Sequence, residues 1–190
     1  MNTHHIDKAQ AAGNVDYPLA LASGFLATLA MTTVSYLMLP LLGWSQVDVP
    51  IWTARIVTAD RLTVGELAMM THLIVGLGYA CLFARFAEPR LKLSPSLSGL
   101  AYGFALWAFA QAVAVPLLGA MAVAADGALV SSPGWFAVRL GVGPAAFSLA
   151  AHLAYGLTLS VVYGRQGCTA DGRPTRVWTE EAAAAGVRRF

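Results

Sequence analysis

The sequence predicts an all-α membrane protein: four transmembrane helices arranged as two tandemly repeated helical hairpins. Three observations carry that expectation. Hydrophobic residues make up 57% of the chain and charged residues only 12%, against roughly 25% charged in a soluble domain. Charge-free runs extend from Tyr17 to Val47, Leu67 to Ala84, Leu93 to Ala125 and Leu140 to Gly164, each long enough to meet the ~18 apolar residues that cross a bilayer. Finally, HLIVGLGYACLFAR, starting at His72, returns as HLAYGLTLSVVYGR, starting at His152, a self-similarity that marks a structural repeat.

Residues 1–16, MNTHHIDKAQAAGNVD, form a polar N-terminal tail. No basic segment leads into a short apolar core, and the first apolar run is too long for a cleaved signal, so the first helix is expected to stay. The predicted helices lie near 18–42, 67–86, 98–122 and 144–164, within a transmembrane domain over 17–165. Gly43 and Gly119 are the expected exits of the first and third helices, because each follows a Pro-Leu-Leu triplet that ends or kinks a helix.

Each exit is followed by a segment with Pro, Trp and Arg: PIWTAR from Pro50 and PGWFAVR from Pro133. In the first, Ile51, Trp52, Ile56 and Val57 form the apolar side of a short amphipathic helix in the headgroup layer, with Arg55 and Arg61 toward water or phosphate. Trp52 and Trp135, with Arg55 and Arg139, read as interfacial anchors; the competing reading is a lid over a site between the hairpins. Helix, PLLG, Pro-Trp-Arg segment, His helix and Arg recur in one order, giving repeats over about 17–87 and 97–165. A hairpin returns the chain to its starting side, so the copies share an orientation and a pseudo-twofold axis along the membrane normal is expected.

Lys8, Arg85, Arg90, Lys92, Arg165, Arg173, Arg176, Arg188 and Arg189 fall on one side and Arg55, Arg61 and Arg139 on the other. The basic excess places both termini in the cytoplasm. Residues 166–190 form a basic cytoplasmic tail in which Thr179 and the following EEAAAAG predict a capped short helix with a Gly stop. The two cysteines, Cys81 and Cys168, have no disulfide or zinc spacing and read as free thiols.

Every fourth residue of the second helix gives Ala68, His72, Gly76, Ala80 and Ala84; the fourth helix gives Ser148, His152, Gly156, Ser160 and Gly164. Small residues in register let membrane helices approach closely, so both histidines are expected to face protein. The neighbouring helices offer Gly24, Thr28, Thr32 and Tyr36, and Gly99, Gly103, Trp107 and Gln111, at the same spacing. Counted from the predicted helix starts, the histidines lie on the order of 10 Å below the outer interface. An unsatisfied imidazole is costly there, so each needs a partner such as Ser148, Gln111, Thr71, a carbonyl, water, a metal or the other histidine.

Three readings of the pair stand: structural hydrogen bonding, ligation, and a titratable pair in a proton or solute path. Ligation implies a bis-histidine haem b, with Gly76 and Gly156 leaving room for the macrocycle. Met69, one turn before His72, with Met31 and Met38, suggests a soft-metal copper site, although the second repeat has no matching methionines. Glu66 sits at the mouth of its helix, where a wet first turn explains it. No Walker loop, dinucleotide fingerprint, nucleophile elbow or HExxH motif is present, and no enzymatic activity is expected.

GFLATLAMTTVSYLMLPLLG at 24–43, the following VDVPIWTARI, and the HLxxGL helices at 72 and 152 resemble a family of small four-helix bacterial inner-membrane proteins known mainly as domains of unknown function. The resemblance covers about residues 20–165. It implies the bacterial inner membrane and the two-hairpin architecture, and supplies no catalytic residues. The function expected is that of a multi-pass membrane subunit or accessory protein built around a paired intramembrane histidine site. The alternatives are a haem b electron-transfer subunit and a small proton or solute carrier acting as an oligomer. The expected partners are the lipid bilayer, other membrane subunits or further copies of the chain, and no nucleic acid.

Overall fold

The computed structural model describes residues 15–42, 49–58, 60–91, 93–126 and 133–166. The two tails, Gly43, Cys168 and the Thr179 helix lie outside the described residues. The described chain is helical throughout and contains four helices long and apolar enough to cross a membrane. The elements are α1 (Tyr17–Leu42), α2 (Val49–Val57), α3 (Arg61–Leu82), a π turn (Phe83–Ala87), α4 (Glu88–Leu91), α5 (Pro95–Phe109), a second π turn (Ala110–Ala114), α6 (Val115–Asp126), a 3-10 segment (Trp135–Leu140) and α7 (Val142–Gln166). Only 28% of each span is buried within the chain. Their exposed faces carry Leu29, Ile74, Phe104 and Leu117, an apolar belt whose natural solvent is lipid.

Local chemistry sets the helix starts. Asp16 Oδ1 accepts the Leu19 N–H at 2.9 Å, filling one of the orphan donors at the head of α1. Asp60 caps α3 by accepting the Thr63 N–H at 3.1 Å; its carboxylate also accepts the Thr63 hydroxyl. This cap starts the second long helix at Arg61 rather than near 67. Pro95 occupies the first turn of α5, where its missing N–H costs nothing.

Proline is absorbed differently inside the long helices. Each π turn is followed by one residue and then a proline: Phe83–Ala87, Glu88, Pro89, and Ala110–Ala114, Val115, Pro116. The Glu88 N–H bonds to the Phe83 carbonyl and the Val115 N–H to the Ala110 carbonyl, the wider i to i−5 closure. A proline ring clashes with the carbonyl four residues back, and widening the preceding turn relieves that clash while the helix continues. The expected exit at Gly119 is therefore corrected: Gly119 lies inside α6, which runs on to Asp126.

α1 packs closely against α3 and α7, and α7 also against α5. Glycines at these seams have no room for a side chain. A Cβ on Gly76 would strike Thr28 Oγ1, and one on Gly24 would sit 2.5 Å from Ala80 Cβ. A Cβ on Gly156 would strike the Gly99 carbonyl oxygen and come 2.7 Å from the Gly103 nitrogen. The half of the bundle holding the start of α1 and the end of α7 is filled by Ala20, Ala27, Phe83, Tyr155, Leu159 and Tyr163.

The pseudo-twofold expectation meets an asymmetry. It would pair α5 with α3 as closely as α1 with α7, yet α5 meets that side chiefly through the π turn Phe83–Ala87 and the 2.7 Å bond from the Tyr102 hydroxyl to the Tyr79 carbonyl. The two Pro-Trp-Arg segments also fold differently. Pro50 begins the body of a regular nine-residue helix, α2. Gly134 takes φ 74°, and Phe136 and Ala137 follow at φ 53°, a left-handed pair that non-glycine residues seldom adopt.

Candidate functional site

With α3 and α5 held apart, the other half of the bundle encloses a cavity of about 460 Å3. Both His72 and His152 line it. His72 lies eleven residues into α3 and His152 ten residues into α7, about 15 Å along each helix from its first residue. The earlier starts of both helices, at Arg61 and Val142, account for the greater distance than the sequence suggests. Register between the helices is set by the Tyr155 hydroxyl, which donates to the Gly76 carbonyl at 2.5 Å across a separation of 79 residues. His72 stands four residues before Gly76 and His152 three residues before Tyr155, so each histidine lies about one turn before its end of this bond.

Tyr79 and Tyr155 form the floor of the cavity, and Pro50, Ile51 and Thr53 of α2 cover its far end. α2 packs on both α3 and α6, so it bridges the gap between them. Its inward residue is Ala54, fully buried with Val64 and Ala68, while Val57 is 72% exposed. The apolar face assigned from sequence is therefore partly rotated, because α2 has protein rather than headgroups beneath it. The Trp52 side chain lies outside the described residues. Arg55, Trp135 and Arg139 do not line the cavity; Trp135 and Arg139 are exposed, as residues at an interface would be.

The His152 ring is oriented by its own helix. Nδ1 lies 2.7 Å from the Ser148 carbonyl and 3.4 Å from the Ser148 hydroxyl. A carbonyl only accepts, so Nδ1 carries the proton and the neutral ring keeps its lone pair on Nε2. Ser148 thus supports His152 and also lines the cavity. Gln111 does not: it is fully buried in the second π turn and away from the cavity wall. The wider turn breaks the four-residue spacing that would have carried Gln111 onto the histidine face.

The residues present do not fit a bis-histidine haem. The space beside Gly76 is taken by Thr28, and that beside Gly156 by the backbone of Gly99 and Gly103, so neither glycine leaves room for a macrocycle. Among the described residues, no Lys or Arg lines the cavity to meet haem carboxylates. Met31 and Met69 line the cavity with the histidines, while the Met38 side chain lies outside the described residues. Among the described residues, no group of three or more His, Cys, Asp or Glu is placed to hold a metal ion.

Tyr155 escaped the sequence reading because it stands where the two histidine segments differ: its counterpart is Val75. The Trp107 indole N–H, which donates to the Ala145 carbonyl at 3.0 Å and ties α5 to α7, was visible only as one member of a small-residue stripe. Comparison with protein-family models, curated proteins and solved structures finds no match to this chain.

Proposed function

We propose that the chain is a multi-pass protein of the bacterial inner membrane, with both termini cytoplasmic, that acts without bond chemistry of its own as a membrane subunit or accessory protein. Its working site is the His72–His152 pair. The observation that supports this reading is that both imidazoles line one cavity inside the bundle, where an ionisable group is expensive to keep unless it is used. The carrier alternative, working as an oligomer, needs an aqueous path through the floor that Tyr79 and Tyr155 close. The tandem duplication of a hairpin explains why the histidine segment occurs twice, with the sequence echo as its support.

The pair is tested by nuclear magnetic resonance of protein carrying 15N-labelled histidine. Replacing His72 with Ala should shift the ring nitrogens of His152, and His152→Ala should shift those of His72. Ring signals that stay in place in both variants would show two independent histidines and end the paired-site reading.

A further inference from the structure

We propose that the cavity takes an uncharged lipophile bearing a ring hydroxyl, of the phenol or quinol kind, which enters sideways from the bilayer between α3 and α5 and donates its O–H to His152 Nε2; this deepens the paired-histidine reading and takes its location from it.

The route follows from exposure. Met69 and Val75 of α3 and Phe109 of α5 line the cavity, yet they are 48%, 48% and 50% exposed, so they form a rim rather than a wall. That rim lies where α3 and α5 fail to close, beneath α2, and it opens in the apolar belt. A ligand arriving there comes from lipid.

The charge of the ligand follows from the lining, which among the described residues contains no Asp, Glu, Lys or Arg. An ionic headgroup would lose its hydration with no counter-charge to replace it. The hydrogen-bonding polarity follows from protons already committed. Thr28 donates its hydroxyl to the Gly24 carbonyl, Tyr155 to the Gly76 carbonyl, and His152 Nδ1 to the Ser148 carbonyl. All three side chains line the cavity. Other lining hydroxyls, such as those of Thr71 and Ser148, can donate or accept, so the bias comes from His152: protonated at Nδ1, its ring only accepts at Nε2, which favours a ligand that donates over one that only accepts. Tyr79, Phe109 and Phe147 supply ring faces against which a flat headgroup packs. The volume of about 460 Å3 holds one ring with part of a chain, and the rest of the chain leaves through the rim.

The test uses the full chain in phosphatidylcholine vesicles under argon, with bound probe counted after sedimentation and corrected for empty vesicles. The probes are decylhydroquinone, decylbenzoquinone and decyl phosphate. The hydroquinone should bind at least tenfold more tightly than the quinone, and decyl phosphate more weakly than either. His152→Phe should weaken hydroquinone binding at least tenfold. Val75→Trp should do the same by filling the rim from a lipid-exposed position, while leaving the histidine ring signals in place, so the result does not depend on His152→Phe folding. Equal affinity for hydroquinone and quinone, preference for decyl phosphate, or binding indifferent to Val75→Trp overturns the inference. Hydroquinone selectivity without coupling between the two histidine rings supports the ligand class and overturns the pair; ring coupling without selectivity does the reverse.

Discussion

Gln111 is fully enclosed, yet neither polar atom of its side-chain amide has a hydrogen-bond partner among the described residues. Leaving a buried polar group unsatisfied costs about 1–3 kcal/mol, so Gln111→Leu, which keeps the volume and removes the amide, should raise the thermal unfolding midpoint in detergent. A lowered midpoint would mean that the amide is satisfied in solution, by water or by a bound partner. The histidines present the opposite case at this scale. Both line one cavity, each from within a long helix whose apolar run the sequence displays. The role of Ser148 was legible too, since a histidine four residues downstream reaches that carbonyl in any α-helix. Gln111 was misplaced because a wheel drawn at constant pitch cannot anticipate a π turn, and the signal available was Pro116, five residues on.

Between elements, stability rests on close backbone contact at glycine. Gly156→Ala forces a Cβ into the Gly99 carbonyl and the Gly103 nitrogen, backbone atoms that cannot rotate aside. Overpacking of this kind costs about 1–3 kcal/mol. Gly78 lies in the middle of α3 with nothing near its added Cβ, so Gly78→Ala should be neutral or stabilising by about 0.5–1 kcal/mol, the usual helix preference for Ala. Thermal midpoints of the two variants should therefore move in opposite directions; a shared direction would remove glycine packing as the reason for the α5–α7 seam. The paired use of π turns before Pro89 and Pro116 belongs to the same scale. Proline was visible as a disturbance of helix geometry, but whether it ends a helix or widens a turn depends on the packing beyond it. Val115 is almost fully buried, so α6 is held in place after the irregular turn.

The whole molecule is a belt of apolar surface around a half-filled interior. Its orientation makes a prediction. With Arg85, Arg90 and Lys92 around the 88–96 loop, six of the other nine Lys and Arg residues toward the ends of the chain, and only Arg55, Arg61 and Arg139 on the opposite side, reporters fused at the N-terminus, in the 88–96 loop and at the C-terminus should be active in the cytoplasm, and one inserted in the 45–65 segment should be active outside. A cytoplasmic signal from 45–65 would invert the bundle and put the cavity in the inner half of the membrane. The helical class and the four spans were determined by sequence alone, because hydrophobic length is a property of a single segment and lipid demands that each segment satisfy its own backbone. Tertiary structure decided the cavity: that α1 meets α7 closely while α3 and α5 part, that α2 crosses the gap, and that the glycines beside the histidines are filled by neighbouring helices. Those outcomes depend on which small faces meet first in a packed bundle, a competition among several helices that no single segment encodes.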